Sequence, residues 1–356
     1  MQTWKRLKND PKLWQSFFLR EKIIKAIRDF FYQENFHEVE TPLLTPRLIP
    51  ESYLNVFKTY LSDRAGNKTR MFLTTSPEAS IKKLLVAGIG DCFEITKSFR
   101  NRETGSATHH PEFTILEWYR VNANYKDIMK DCEELMLYIL KRIKEAQRTL
   151  TYQNIKIDLS PPWEKISMFE ALEKYAGIDF NQITQNIRGN DNSEMFPLDK
   201  IAKVARKKGY EVAKNNSWEE IFNQIFLNEI EPHLGTDGKP TIIYDYPKPL
   251  AALAKTKKDD PRLVERFEFY IAGLESGDGC SELTDYYEQK KRFKSELSLM
   301  KDKNKTEVFP DEDFLEALKI GLPNCAGVAV GIDRLVMLFA DASSIEDILL
   351  FPLAAN

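Results

Sequence analysis

The residue types best equipped for chemistry crowd into positions 99–119, FRNRETGSATHHPEFTILEWY, where an arginine and a His-His pair flank a polar loop. Upstream, residues 91–100 alternate with period two. Phe93, Ile95 and Phe99 share one face, and Glu94, Thr96, Ser98 and Arg100 share the other. Downstream, Phe113, Ile115, Glu117 and Tyr119 fall on one face of a strand-like run, and Thr114, Leu116 and Trp118 on its opposite. The spacing predicts a hairpin presenting a guanidinium, an aromatic ring, a carboxylate and a phenol. Such a set suits a ligand with an anionic end, a flat ring and a cationic end, and ATP together with a basic amino acid fits. By themselves these residues better fit a hairpin with an ion-paired surface loop and a half-buried aromatic strand.

The hairpin needs elements to hold it. In residues 11–36, Leu13, Phe17, Ile23, Ile24, Ile27, Phe30 and Phe31 recur at helical spacing, predicting one long amphipathic helix. It runs into HEVETP, a short strand around Val39 that Pro42 ends. Residues 62–70 form a polar turn and 71–75 a strand. Ser76-Pro77-Glu78 then starts a helix, with Ile81, Leu84 and Leu85 facing the core and Gly88 closing it. On spacing alone Glu78 does no more than complement a helix macrodipole, an effect of about 0.3–1 kcal/mol.

Further along, residues 125–148 read as a strong amphipathic helix, 156–159 as a strand and 167–175 as a helix. Residues 181–197 are the most loop-like stretch, and helices follow at about 198–208 and 217–230. Residues of about 160–235 thus read as a helical insertion without a chemical constellation of its own. TIIYDYP and FEFYIAGLE are β-rich, with Gly273 a bulge or bend; 286–301 is an exposed, charged helix and 303–313 a loop. CAGVAVGIDRLVMLFAD reads as a Gly-punctuated strand entering an apolar helix with Arg334 in its first turn.

A chain of 356 residues can bury a large core, and with 42% apolar and 29% charged residues and a net charge of -3 it belongs with folded globular proteins. The totals carry no nucleic-acid footprint, and the Lys-rich runs at 201–214 and 248–258 read as solvated helix faces. Cys92, Cys132, Cys280 and Cys325 are widely separated, suggesting neither a zinc site nor a disulfide framework. With no signal-peptide core and no apolar run of membrane length, the expected compartment is the cytoplasm.

Three blocks resemble, in order, the signature motifs of class II aminoacyl-tRNA synthetases: EVETP at 38–42, FRNRE with HHPEFTILEWY, and GVAVGIDRLVML at 327–338. With TSPEASIKKLLVAG and CSELTD they are similar to the lysine-specific branch, over nearly the whole chain. The resemblance implies an α+β fold, with an antiparallel sheet flanked by helices in one catalytic domain over residues 1–356. It also implies a homodimer joined through the first motif. A lysyl-tRNA synthetase carries an N-terminal anticodon-gripping domain, whereas here the core helix starts almost at once. This arrangement resembles the elongation factor P lysine ligases, synthetase paralogues that activate a lysine-type amino acid with ATP and attach it to a lysine of elongation factor P. Ala329 stands where lysyl-tRNA synthetases carry Gly, and its methyl group favours a differently placed amine, as in β-lysine. A minimal lysyl-tRNA synthetase, another tRNA-directed paralogue and a non-catalytic regulator are the alternatives; tRNA is not the expected partner.

Site roles follow from the same resemblance. Arg100 is expected at the α-phosphate and the substrate carboxylate, and Arg334 at the outer phosphates. Phe113 matches the residue that stacks on adenine, with Glu103 and His109 also at ATP. Glu268 and Glu275 match the carboxylates that hold Mg²⁺; their spacing puts them on opposite faces of an ideal strand, so a bend at Gly273 is required. Glu78, Arg100, Glu117, Tyr119, Asp278, Glu282 and Ala329 match the amino-acid set. Two departures stand out. Arg102 interrupts the family's Phe-Arg-Asn-Glu, leaving Glu103 as the acid, and Asp278-Gly279-Cys280 replaces Asn-Gly-Phe, adding negative charge and room.

Overall fold

The computed structural model describes residues 3–145, 147–186, 192–303 and 305–353. Helices α1 (Thr3–Asn9) and α2 (Pro11–Gln33) open the chain, the second capped by the Asp10 carboxylate, which accepts from the Lys12 N–H at 3.0 Å. Strands β1 (His37–Glu38), β2 (Leu44–Thr45), β3 (Lys58–Ser62) and β4 (Lys68–Leu73) lead to α3 (Glu78–Val86). The hairpin follows as β5 (Cys92–Phe99) and β6 (Glu112–Val121), then α4 (Tyr125–Ile143), started by a reciprocal Asn124/Asp127 capping box. Strands β7 (Thr149–Tyr152), β8 (Ile155–Asp158) and β9 (Glu164–Ser167) precede the short helices α5 (Met168–Ala171), α6 (Phe180–Ile183) and α7 (Asn192–Met195), and then α8 (Leu198–Lys207) and α9 (Trp218–Ile225). The chain closes with β10 (Thr241–Pro247), β11 (Leu263–Ile271), β12 (Leu274–Ser281), α10 (Tyr286–Asp302), α11 (Glu312–Gly321), β13 (Cys325–Gly331) and α12 (Ile332–Ala340).

Eight strands form the central sheet in the order β1-β5-β6-β13-β12-β11-β10-β9. The inner pairings are antiparallel, and only the edge pairs β1–β5 and β9–β10 run parallel. The architecture is therefore the expected α+β sheet flanked by helices. One face is dry: Phe93, Leu116, Trp118, Phe267, Phe269, Val328 and Val330 meet the apolar stripes of α2, α4 and α12. The other face carries a cavity, bordered by Glu78 of α3 on one side and by the α9 region of the 168–233 helices on the other.

Several expectations are corrected. The strand expected at Val39 is the two-residue β1, although the Val39 N–H still donates to Phe93 O at 2.9 Å. The helix expected to reach 148 stops at Ile143, because the chain there enters the β7–β8 ribbon. The insertion does not begin at 160: β9 is an edge strand of the main sheet, and helix starts only after it. Part of the stretch read as loop is helical (α6 and α7), while 187–191 lie outside the described residues. FEFYIAGLE is not one bent strand but the end of β11, a turn at Ala272 and Gly273 with φ of 52° and 77°, and the start of β12. Residues 248–258 are not a solvated helix face, since Lys248 pairs with Glu288 at 3.0 Å and Lys257 with Asp245. On α3 it is Lys82, not Leu84, that is fully buried beside Ile81 and Leu85.

Candidate active site

Cross-strand register builds the floor of the site. Glu117 of β6 lies opposite Ala329 of β13, Ala329 opposite Asp278 of β12, and Asp278 opposite Glu268 of β11. The next row runs Tyr119, Gly327, Cys280, Arg266. Gly327 has no substitute there, because a Cβ would stand 2.4 Å from the Tyr119 ring that lies across it. Over this floor opens a cavity of about 510 Å³ whose lining includes all thirteen residues singled out from the sequence: Glu78, Arg100, Glu103, His109, Phe113, Glu117, Tyr119, Glu268, Glu275, Asp278, Glu282, Ala329 and Arg334.

One end is cationic. Arg100, just past β5, lies over the Phe113 ring at 5.1 Å, and its buried Nε has no hydrogen-bond partner among the described residues. Arg334 is fixed by the Glu275 carboxylate at 3.2 Å and the Glu275 carbonyl at 2.9 Å, and meets His109 Nε2 at 2.9 Å. A guanidinium only donates, so His109 Nε2 accepts and the ring proton sits on Nδ1, facing Ser106 Oγ at 2.9 Å. Burial and the nearby Arg334 charge lower the His109 pKa, which keeps the ring neutral. Asp333 seats α12 against β6 by accepting from the Thr114 N–H at 2.6 Å while pairing with Arg20 of α2. Arg102, which interrupts the second motif, sits at φ 66° with its side chain exposed, and Glu103 reaches the cavity.

Glu268 and Glu275 share the cavity face for a reason the spacing concealed. They sit on neighbouring strands, and register passes from Phe269–Gly277 to Tyr270–Glu275, leaving Ser276 as a bulge that turns Glu275 inward. Glu268 pairs with Arg266 at 2.6 Å and accepts from Tyr270 O–H at 2.7 Å, and burial pushes its pKa up to about 7. Burial pushes Glu275 the same way, but the charge and hydrogen bond of Arg334 outweigh it and the carboxyl stays below its usual range. Among the described residues no cluster of three or more potential metal ligands occurs. Two cavity-facing carboxylates nonetheless fit Mg²⁺ bound together with phosphates, which needs only one or two from protein.

The opposite end is acidic. Glu78, Glu117 and Glu282 converge there, and Glu117 accepts from the Tyr119 O–H at 3.1 Å. Burial raises Glu117, and raises Glu282 to about 7. Asp278, expected to add uncompensated charge, is instead clamped by Arg266 through bonds of 3.0 and 2.7 Å. Cys280 donates its thiol to Glu282 at 3.7 Å.

Sequence reasoning missed two cations, Arg266 and Lys82. Both left a signal: Arg266 shares a strand face with Glu268 two residues on, and Lys82 stands four residues after Glu78 on one helix face. The insertion also does more than fill space, since Ser217, Glu219, Glu220 and Phe222 of the α9 region line the cavity and Glu220 bridges to Lys303 at 2.7 Å.

Comparison with known proteins points the same way as this geometry. Curated relatives include a lysine–tRNA ligase of Carboxydothermus hydrogenoformans, 36% identical over 97% of this chain and 66% of the relative. Those of Moorella thermoacetica (36%, 96% and 66%) and Histophilus somni (36%, 95% and 64%) are similar. The chain thus spans roughly two thirds of the length of the relatives it matches. The sequence profile of tRNA synthetases class II (D, K and N) matches residues 2–355, and the chain belongs to that family.

Proposed function

We propose that the protein activates lysine or β-lysine with ATP to an aminoacyl-adenylate, as an AMP-forming ligase, and transfers the aminoacyl group to a lysine side chain of elongation factor P. The observation that carries the reading is the convergence of Arg100 and Arg334, from segments far apart in sequence, on one cavity whose other end is a nest of carboxylates. A triphosphate and a diamine are complementary to those two ends.

The amino-acid carboxylate attacks the α-phosphorus; a carboxylate O–P bond forms, the bond to the bridging oxygen breaks, and pyrophosphate leaves. Arg100, preorganised over Phe113 with an unspent donor, orients the carboxylate and stabilises the charge that builds at the α-phosphate. Arg334 holds the outer phosphates, steadied by Glu275 and neutral His109. The free face of Phe113 takes adenine, a stack worth ~1–3 kcal/mol, and Glu103 lies beside it. Glu268 and Glu275 would hold Mg²⁺, which supplies charge neutralisation on the phosphates when bound. Glu78, Glu117, Glu282 and Tyr119 grip the amines over a floor of Ala329 and Asp278. In the second step the neutral amine of the acceptor lysine attacks the adenylate carbonyl, an amide forms and AMP departs.

A protein lysine as acceptor is supported by the rest of the lining, where Glu51, Glu219, Glu220 and Glu296 outnumber Lys303 and favour an approaching ammonium over a phosphodiester chain. The relatives, named lysine–tRNA ligases, favour a second reading in which tRNA is the acceptor. We expect a cytoplasmic homodimer joined through the EVETP segment; among the described residues no helix is long and apolar enough to cross a membrane. Incubation with ATP, Mg²⁺ and each amino acid in turn should drive pyrophosphate exchange with lysine or β-lysine alone. Intact-mass analysis of elongation factor P, beside tRNA charging in the same mixture, then decides the acceptor. A mass shift on the protein supports the first reading, and charged tRNA with unmodified protein overturns it.

A further inference from the structure

The amino-acid end contains a cation that faces away from the ligand space. Lys82 is 1% exposed and does not line the cavity, whereas Glu78 and Glu282 both do. Its ammonium lies 2.5 Å from Glu78 Oε1 and 2.5 Å from Glu282 Oε2, tying the first turn of α3 to the segment after β12. It is no part of a basic surface run, because Lys83 turns the other way to Asp311 at 3.0 Å and Asp313 at 3.1 Å on α11. Each acid therefore spends one oxygen on Lys82 and keeps the other. Glu282 Oε1 has only the weak Cys280 thiol as donor.

We infer that Lys82 is a positioning residue of the amino-acid site, a built-in ammonium that sets the spacing of Glu78 and Glu282 from behind while their remaining oxygens receive the substrate amines. The inference rests on the amino-acid end of the function proposed above. Two carboxylates drawn out of water repel each other and take up protons unless a cation stands between them. One cation against two acids leaves the pair with carboxylate oxygens to spare toward the cavity, as a diamine requires. The ionisable groups around Lys82 are Glu78 on its own helix, Glu282 and Cys280 from β12 and the segment after it, Glu117 with its bonded Tyr119 on β6, and Cys325 of β13. Burial works against the Lys82 charge, but Glu282 and Glu78 outweigh it and hold its pKa well above the ordinary lysine range.

The test is pyrophosphate exchange by the full chain from pH 6 to 9, with the KM for the amino acid and for ATP measured separately. Wild type, Lys82→Met, Lys82→Gln and Lys82→Arg are compared. Lys82→Met should raise the amino-acid KM by about 100-fold or more while the ATP KM stays within about twofold. The acid limb of its kcat/KM profile should move up by about one pH unit or more, because Glu282 loses the cation that offsets its burial. Lys82→Gln, which keeps a hydrogen-bond donor if the methionine variant does not fold, should show the same shift, and Lys82→Arg should restore the wild-type midpoint. An unchanged amino-acid KM and pH midpoint in Lys82→Gln, or equal losses for ATP and amino acid, overturns the inference. Absence of exchange by wild type with either amino acid instead overturns the proposed function.

Discussion

The two arginines show how differently one side-chain type can be held. Arg334 is fully committed to Glu275 and His109, while Arg100 forms no ion pair among the described residues and rests on an aromatic face. Its removal should therefore cost chemistry and little stability. Arg100→Ala is expected to lower pyrophosphate exchange by about 10²–10³-fold with an unchanged circular-dichroism melt; retained exchange would mean that the anion site lies elsewhere. Ala329 makes the opposite kind of point, as the one uncharged member of a cross-strand row between Glu117 and Asp278. Ala329→Gly should raise kcat/KM for lysine relative to β-lysine by roughly tenfold or more, the scale on which a pocket feels one carbon.

At the scale of elements, the site depends on irregularities in otherwise regular pairing. The bulge at Ser276 brings Glu275 to the same face as Glu268. Glu275→Ala leaves Arg334 without its carboxylate and removes one of the two acids proposed to hold Mg²⁺. The expected outcome is a rise of about tenfold or more in the ATP KM and in the Mg²⁺ needed for half-maximal exchange, with a smaller change in the amino-acid KM. The second element-level device is Asp333, which clips α12 to β6 and to α2. Asp333→Ala strands the half-buried Arg20 charge and a buried, unpaired Thr114 N–H, and should cost about 2–4 kcal/mol in urea unfolding.

For the molecule as a whole, burying a site that must hold ammonium groups ties stability to pH. Burial pushes the Glu268 and Glu282 carboxyls from 4.5 up to about 7. A carboxyl that binds its proton more tightly folded than unfolded favours the folded state in acid. That contribution fades as pH rises from about 4.5 through about 7. A bound diamine reverses the balance at Glu282, since it requires that acid ionised. The melting-temperature rise produced by lysine or β-lysine should hence be larger at pH 8 than at pH 5.5, and an equal rise at both would contradict this assignment of the acids. Dimerisation is a separate matter. Leu43 and Leu44, just beyond EVETP, are exposed in the single chain, and sedimentation equilibrium should give twice the chain mass.

Local periodicity in the sequence determined the hairpin, the long α2 and α4 helices and the strand-to-helix passage at Arg334, while resemblance to the family's motifs supplied the fold class and the thirteen expected residues that line the cavity. Those signals survive in one dimension because alternation and helical spacing are short-range properties. Tertiary structure alone decided which charges meet. Nothing in the spacing of residues 82, 266, 278 and 282 says that Lys82 reaches Glu282, or that Arg266 neutralises Asp278, because those pairs form between a helix and a sheet end and across strands. The same holds for the 149–152 strand, whose partner lies across a tight turn, and for the α9 region, whose place beside the cavity is set by how the 168–233 helices pack against β10 and β11. Register, bulges and buried ion pairs depend on the separation of groups in space, and the chain's order does not encode that separation until the sheet has closed.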